Sequence, residues 1–270
     1  MKHSPAYRWP DWLADSLLDK KIPQPEIIKF KRAQENLWQA LNIYDDFLDG
    51  AGQADELPSA NRHYRNFLKT IYQTNLPLSF QKASNKILND LDFANQQELL
   101  QNKIIWKNGV PKISKKTPDF SQLTNLSKKS LALAIAPVAT VLTHKKLDEH
   151  RLINFFRYAL AAKQLSDDAK DWLDDLYSGK LTAVNMLVIQ EGKNRKIKKN
   201  LYQKPEVLHL LFAHGAAIST CHNILKLCQK ARNETYKLKI NDQAPIITGL
   251  LLPLEKAANK ALHFQNLLLQ

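Results

Sequence analysis

Apolar residues recur at helical spacing along almost the whole chain, and this pattern restricts the possible folds more than any other feature of the sequence. It predicts helices over 25–49, 58–74, 78–101, 123–143, 147–178, 205–230 and 243–269, each bounded by Pro, Gly, Asn or Asp. Segment 102–119 is predicted as the longest loop, and no segment shows the alternation of a β-strand. Helices of this kind pack as an all-α bundle.

The length and the glycine content of the chain restrict the number of domains and the class of fold. A chain of 270 residues buries one substantial core, and no change in composition marks a boundary, so we expect a single domain over 1–270. Only 7 glycines are present, and none of them forms a G-x-G-x-x-G or Walker loop. Nucleotide-binding folds that hold phosphates on a glycine-rich backbone are therefore excluded.

The N-terminal sequence and the apolar runs indicate where in the cell the protein is located. Two prolines and two aspartates interrupt the first apolar residues, MKHSPAYRWPDWLADSLL, which is not the pattern of a secretory signal. The longest apolar run, 131–142, has 12 residues, well short of the ~20 that cross a bilayer. We expect a cytoplasmic protein without a membrane-spanning helix.

Two clusters of aspartates stand out in a chain whose net charge is +13. Each cluster lies near the end of a predicted helix, the first in IYDDFLDG and the second in QLSDDAKDWLDDLYSGKLT. Residues at i and i+4 share one helix face, so each cluster forms an acidic stripe along its helix. Asp45 and Asp49 share one face of the first helix, and Asp167, Asp171 and Asp175 share one face of the second. Each stripe is named together with its adjoining aspartate, which is Asp46 in the first stripe and Asp168 in the second.

Such stripes are unfavourable on their own. Like charges this close destabilise a helix by roughly a few tenths of a kcal/mol per pair, and burial of the carboxylates adds to that. The stripes therefore indicate either a solvated acidic face, with some of the many lysines as partners, or a bound cation. Magnesium fits the second interpretation, because it takes carboxylate oxygens and bridges them to substrate phosphates.

The basic residues are concentrated most strongly in KNRKIKK, residues 193–199. This segment follows Gly192 and precedes Pro205, which predicts a solvated loop. Two functional interpretations stay open for it, a mobile flap over an anionic substrate and a contact with an anionic membrane surface. We expect no nucleic-acid partner, because the sequence contains no recognisable reading module and no interleaving of basic with aromatic residues.

The stripes resemble the aspartate-rich motifs of class I isoprenoid synthases, and most closely those of the squalene and phytoene synthase family. YDDFLDG, residues 44–50, resembles the first motif, D-D-x-x-D, and residues 164–180 resemble the second, Q-L-x-N-x-x-R-D-x-x-E-D-x-x-x-G-R. The spacing of the motifs and the length of the chain also resemble that family. The matching positions of the second motif are Gln164, Leu165, Asp171, Asp175 and Gly179, whereas Asp167, Lys170, Asp174 and Lys180 replace Asn, Arg, Glu and Arg.

The resemblance implies a single-domain, all-α helical bundle of the isoprenoid (terpenoid) synthase type with a central apolar cavity. It also implies a Mg²⁺ cofactor held by all seven aspartates, and a prenyl diphosphate substrate clamped between the stripes. The implied catalytic residues are Asp45, Asp49, Asp171 and Asp175, and the implied substrate-binding residues are Gln164, Lys170, Lys180 and Arg157. Candidates to line the cavity are Trp38, Leu41, Phe47, Phe155, Phe156, Leu160 and Ala161.

The reaction itself is left open among several alternatives. The family resemblance implies a prenyltransferase that couples two prenyl chains, but Asn42 and GKLTAV, residues 179–184, depart from the family pattern of Arg and G-R-x-Y-L-P. Asp167 to Asp171 followed by GKLT resembles chain-elongating polyprenyl diphosphate synthases, whose other signatures are missing. The spacing of the second stripe also resembles the metal triad of terpene cyclases, which are lyases. The alternative from another class is a non-catalytic, membrane-associated helical interaction protein.

Overall fold

The computed structural model describes residues 5–17, 22–101, 103–113, 120–144 and 146–268. The described chain is helical almost throughout, and the prediction of an all-α fold is confirmed. The α-helices are α1 (Trp9–Ser16), α2 (Gln24–Leu48), α3 (Leu57–Tyr72), α4 (Leu78–Gln101), α5 (Ile135–Leu142), α6 (Glu149–Ser178), α7 (Ala183–Asn194), α8 (Pro205–Leu211), α9 (Ala217–Lys237) and α10 (Leu252–Leu268). Two π-helical turns, Phe212–Ala216 and Ile247–Leu251, precede α9 and α10.

The prediction that 102–119 is a loop without strands is wrong for residues 103–113, and the rest of that segment lies outside the described residues. Strands β1 (Ile104–Lys107) and β2 (Val110–Ile113) form a two-stranded antiparallel hairpin. Asn108 and Gly109 join the strands, and both have positive φ, of 53° and 74°. A two-residue hairpin turn of type I′ requires positive φ at both positions, and Asn-Gly is its preferred sequence.

The predicted helix over 123–143 is interrupted, and two helices, α1 and α7, were not predicted at all. Only the last part of that segment is α-helical, as α5, with Pro137 in its first turn. A proline ring excludes the helical conformation one turn earlier, so the chain enters α5 through short 3₁₀ turns. Helix α7 is absent from the prediction, although Thr182 caps its N-terminus by accepting a hydrogen bond from the Asn185 amide at 3.2 Å.

The chain divides into two compact units. Unit 1 consists of Met1–Leu91, Lys128–Arg157 and Ala231–Leu251, and unit 2 consists of Asp92–Ser127, Tyr158–Lys230 and Leu252–Gln270. Helices α4, α6 and α9 each contribute residues to both units. The organisation as one domain stays a prediction, as does the central apolar cavity.

Each unit has its own buried aromatic residues. In unit 1, Phe30, Phe67 and Phe80 have no exposed surface, and the ring of Trp9 lies 5.7 Å from that of Phe156. In unit 2, Trp172 stacks on Phe212 with ring centroids 4.6 Å apart and an interplanar angle of 6°. Burial of these rings supplies a large part of the apolar area that stabilises each unit.

No helix among the described residues combines the length and the apolar character needed to cross a bilayer. This agrees with the helical periodicity, since the long helices carry charged residues on one face.

Candidate functional site

The first stripe occupies the last turn of α2 in unit 1. Asp45 and Asp46 are exposed, and Asp49 is the C-cap residue. The helix ends in a Schellman motif, in which the Ala51 amide donates to the Asp46 carbonyl at 2.9 Å and Gly50 has a φ of +76°. A residue with a side chain would be strained at Gly50, so the glycine fixes where the stripe ends.

The position of this stripe is electrostatically unfavourable. The C-terminal end of a helix carries the negative end of the helix dipole, which favours cations rather than carboxylates. The last turn of α2 contains no basic residue. Lys129 compensates in part, because its Nζ atom lies 3.2 Å from Oδ1 of Asp45. The Asp45 side chain is 56% exposed, so this ion pair contributes little to stability.

The second stripe occupies the end of α6 in unit 2, and this helix ends in the same way. The Lys180 amide donates to the Asp175 carbonyl at 2.8 Å, and Gly179 has a φ of +84°. The last turn of α6 also lacks a basic residue. Carboxylates repel one another in both stripes, and in the second stripe the helix dipole is unfavourable for Asp175, which lies in the last turn.

Asp168 is the buried member of the second stripe, with only 6% of its surface exposed. Its pKa is raised from 3.8 to about 6, chiefly by burial and to a smaller extent by the neighbouring carboxylates of Asp175 and Asp167. A hydrogen bond from Nε2 of Gln164 to Oδ1 of Asp168, at 2.8 Å, and the charge of Lys180 act in the opposite direction. Asp168 and Asp175 therefore form an anionic pair that a bound cation would stabilise.

The other two aspartates of this stripe are in more solvated surroundings. Asp167 pairs with Lys163 and with Lys170, whose Nζ lies 3.1 Å from Oδ1 of Asp167. Asp171 is exposed. Among the aspartates at i, i+4 and i+8, Asp167 is neutralised by nearby lysines. The buried carboxylate is that of Asp168, on the adjoining face of the helix.

Lys180 is fixed beside the second stripe by contacts that the sequence did not predict. Its Nζ atom lies 3.4 Å from Oε1 of Glu98 on α4. Its backbone forms a bridge with Lys103, and the Ile104 amide donates to the Gly179 carbonyl at 2.7 Å. The hairpin therefore holds the turn that carries Lys180, and the Asn-Gly turn was the one sequence signal that could have revealed it.

The remaining predicted residues have varied surroundings. Nη1 of Arg157 donates to Oδ1 of Asn154 at 2.5 Å in unit 1, and Lys170 is exposed. Of the candidate lining residues, Phe155, Phe156, Leu160 and Ala161 are fully buried, Trp38 and Leu41 are half-buried, and Phe47 is exposed. Exposure makes Phe47 the weakest of these candidates.

Within the described ranges, no group of three or more His, Cys, Asp or Glu side chains is arranged to hold a metal ion. A preformed cage of that kind is typical of calcium or zinc sites rather than of magnesium. Magnesium keeps several waters and takes one or two carboxylates together with substrate phosphates. The carboxylate pair of Asp168 and Asp175 fits this ligand type.

Comparison with known proteins identifies the fold. No family model matches the sequence, and no curated protein matches it. Among solved structures, the chain is similar to a geranylgeranyl pyrophosphate synthetase from the archaeon Geoglobus acetivorans, with a TM-score of 0.65 and 15% sequence identity. The similarity covers 95% of this chain and 84% of that one. The chain therefore has an all-α fold of the isoprenoid synthase type.

Proposed function

We propose that this protein is a magnesium-dependent enzyme that acts on prenyl diphosphates. The observation that carries the proposal is Asp168, a buried carboxylate beside Asp175 on α6. Such an arrangement lowers stability unless a cation binds, and its retention is understandable when the cation is part of the function. The fold is that of a prenyl diphosphate synthetase, which supports the same substrate class.

The residues of this chain take distinct roles in the proposed reaction. Magnesium, when bound, supplies positive charge to the diphosphate oxygens. In the second stripe, Asp168 and Asp175 are the residues that would hold it, and Gln164 fixes the orientation of Asp168. Lys180, held by Glu98 and the hairpin, adds a protein cation for the departing diphosphate. That the first stripe binds the same diphosphate stays a prediction.

Within this class of enzyme, the reaction that we propose is prenyl transfer. The C–O bond of an allylic diphosphate breaks, pyrophosphate leaves with the bonding electrons, and the double bond of a second prenyl unit attacks the cation, which finally loses a proton. The 17-residue similarity at 164–180 supports a second prenyl diphosphate as the acceptor. The structural similarity to a geranylgeranyl pyrophosphate synthetase supports chain elongation with isopentenyl diphosphate as the second candidate.

The products of the purified protein distinguish these reactions. Farnesyl or geranylgeranyl diphosphate is incubated with magnesium, with and without isopentenyl diphosphate, and the products are identified by mass spectrometry. We expect a product with a doubled carbon skeleton without isopentenyl diphosphate. A chain extended by one isopentenyl unit, formed only when isopentenyl diphosphate is present, would instead establish elongation.

Two further results would contradict prenyl transfer as the reaction of this protein. A hydrocarbon or alcohol built from one substrate chain would identify a terpene cyclase. Unchanged substrate under every condition, from a protein that is folded by circular dichroism, would contradict the proposal and favour a non-catalytic interaction protein.

A further inference from the structure

The outer face of the hairpin carries one large apolar side chain among lysines. Ile105 lies directly opposite Lys112 in the strand register, so both side chains project from the same face. Lys103 and Lys107 lie two positions to either side of Ile105 and share that face. All three lysines are exposed, and Ile105 is 59% exposed.

The inner face of the hairpin is fixed to the end of α6. Ile104 is buried, and Nε1 of Trp106 donates to the Leu176 carbonyl at 3.2 Å. The Trp106 ring stacks on Tyr177 with ring centroids 5.9 Å apart. The outward orientation of Ile105 is therefore set by anchored neighbours and by the strand register, rather than by a loosely held loop.

The end of α4, which precedes the hairpin in sequence, also exposes apolar side chains. Leu99 and Leu100 are 44% and 67% exposed, and Leu100 lies only five residues before Ile105. Residues 99–113 contain three lysines and no aspartate or glutamate. Leu99, Leu100, Lys103, Ile105, Lys107 and Lys112 together form what we name the hairpin face.

The composition of the hairpin face favours one class of partner. Protein–protein interfaces are depleted of lysine in their cores and use arginine and aromatic residues as anchors. Exposed apolar side chains surrounded by lysines are instead the pattern of surfaces that lie in the headgroup region of anionic bilayers. The long lysine stems can extend along the bilayer surface while the ammonium groups contact lipid phosphates.

We propose that the hairpin face docks on an anionic lipid bilayer, with Leu100 and Ile105 entering the headgroup region. The segment 193–199, where the sequence concentrates its basic residues, is not the docking surface. This proposal does not depend on the proposed reaction, because vesicle binding is measured without turnover.

Co-sedimentation with vesicles tests the electrostatic part of this proposal. The protein is mixed with vesicles of phosphatidylcholine alone, and with vesicles of equal parts phosphatidylcholine and phosphatidylserine. We expect binding only to the anionic vesicles. The triple variant Lys103→Gln, Lys107→Gln, Lys112→Gln should bind them on the order of a hundredfold more weakly, since each lysine near the surface contributes roughly fivefold.

A charge-matched control distinguishes the hairpin face from general positive charge. The triple variant Lys193→Gln, Lys196→Gln, Lys198→Gln removes the same charge from other exposed positions of unit 2. We expect it to retain most of the wild-type binding. Equal losses in the two triple variants, or no loss in either, would overturn the proposal.

A second pair of variants tests the apolar part and leaves the charge unchanged. Leu100 and Leu78 lie near opposite ends of α4 and are 67% and 66% exposed. Leu100→Gln should weaken binding to anionic vesicles roughly tenfold, whereas Leu78→Gln should not change it. The proposal fails if the two variants bind alike. It also fails if light scattering shows a dimer that Leu100→Gln dissociates, because the face would then bind a second copy of the chain.

Discussion

Gln164 donates a hydrogen bond from Nε2 to Oδ1 of Asp168, 2.8 Å away and one helical turn later on α6. This amide is the closest compensation for a carboxylate that is almost completely buried. It is not sufficient, because burial and the charges of Asp175 and Asp167 still hold the pKa of Asp168 at about 6. Burial and carboxylate repulsion in the second stripe therefore lower the free energy of unfolding, and bound magnesium would reduce this repulsion.

The first prediction is that Asp168→Asn stabilises the protein in the absence of ligand. The pKa of Asp168 is raised by folding, so the folded state binds more protons than the unfolded state between pH 3.8 and about 6. Stability therefore falls as pH rises through this window, and the full loss, about 3 kcal/mol, is present above it. Urea unfolding should show Asp168→Asn to be more stable than wild type at neutral pH and similar to it at about pH 4.

Asp171→Asn provides the control for this prediction, because it removes the same charge from an exposed position of the same helix. We expect its free energy of unfolding to stay within about 0.5 kcal/mol of wild type at both pH values. If the two variants were equally stabilised, the effect would come from the overall charge of α6, and the burial of Asp168 would not be its cause.

The helices and stripes could be predicted from the sequence because their signals are local. The bounds of α2 and α6 follow from apolar periodicity and from the glycines Gly50 and Gly179. The sequence could not indicate which aspartate is buried. Asp167 and Asp168 are adjacent, and only packing against the rest of unit 2 leaves one beside two lysines and the other in the interior.

The hairpin was missed for a different reason. Its strands have four residues each, and Ile104–Lys107 is an apolar run rather than an alternation. Pro111 in β2 argues against a strand, although proline is tolerated where its missing amide is not needed. The Asn108-Gly109 pair was the available signal, but Pro111 and the many lysines favoured a loop. Its effect on Lys180 depends on long-range contacts that no local pattern encodes.

The second prediction is that magnesium and pyrophosphate bind cooperatively. Magnesium needs phosphate oxygens to complete its ligands, and pyrophosphate needs the metal to reduce repulsion from the aspartates. Calorimetry should show weak binding of either alone and tight binding of the two together. Because the ligands bind the folded state, the melting temperature should rise most when both are present. Tight binding of magnesium without pyrophosphate would contradict this prediction.

The third prediction concerns turnover. Asp45→Asn and Asp175→Asn should each reduce kcat by at least about 100-fold while leaving the fold intact, because each removes a proposed oxygen ligand of magnesium and neither side chain is buried. Asp174→Asn is the matched control, since Asp174 is an exposed aspartate of α6 outside the proposed ligand set. It should retain near-normal kcat. Product formation by the purified variants, with circular dichroism as the test of folding, measures these effects.

The fourth prediction is that the basic segment 193–199 is not a flap. Its turn is closed by backbone hydrogen bonds, in which the Ile197 amide donates to the Gly192 carbonyl at 3.0 Å and the Leu201 amide to the Lys198 carbonyl at 2.9 Å. Arg195 also pairs with Glu191, one turn earlier. Replacing Lys193, Lys196 and Lys199 by glutamine should therefore leave KM for a prenyl diphosphate within about twofold of wild type. A rise of tenfold or more would restore the flap interpretation.

The last prediction is that Trp106 holds the hairpin on α6. Trp106→Phe keeps an aromatic ring to stack on Tyr177 but removes the hydrogen bond from Nε1 to the Leu176 carbonyl, so it should lower the free energy of unfolding by about 1 kcal/mol. The Ile104 amide donates to the Gly179 carbonyl, and the hydrogen exchange of this amide should accelerate because the hairpin opens more often.

Ile105→Thr is the matched control, because the Ile105 side chain projects outward from the same strand. This substitution should leave the free energy of unfolding within about 0.5 kcal/mol of wild type. If both variants had the same stability and the same exchange rate at Ile104, the Trp106 hydrogen bond would not be what fixes the hairpin beside Lys180.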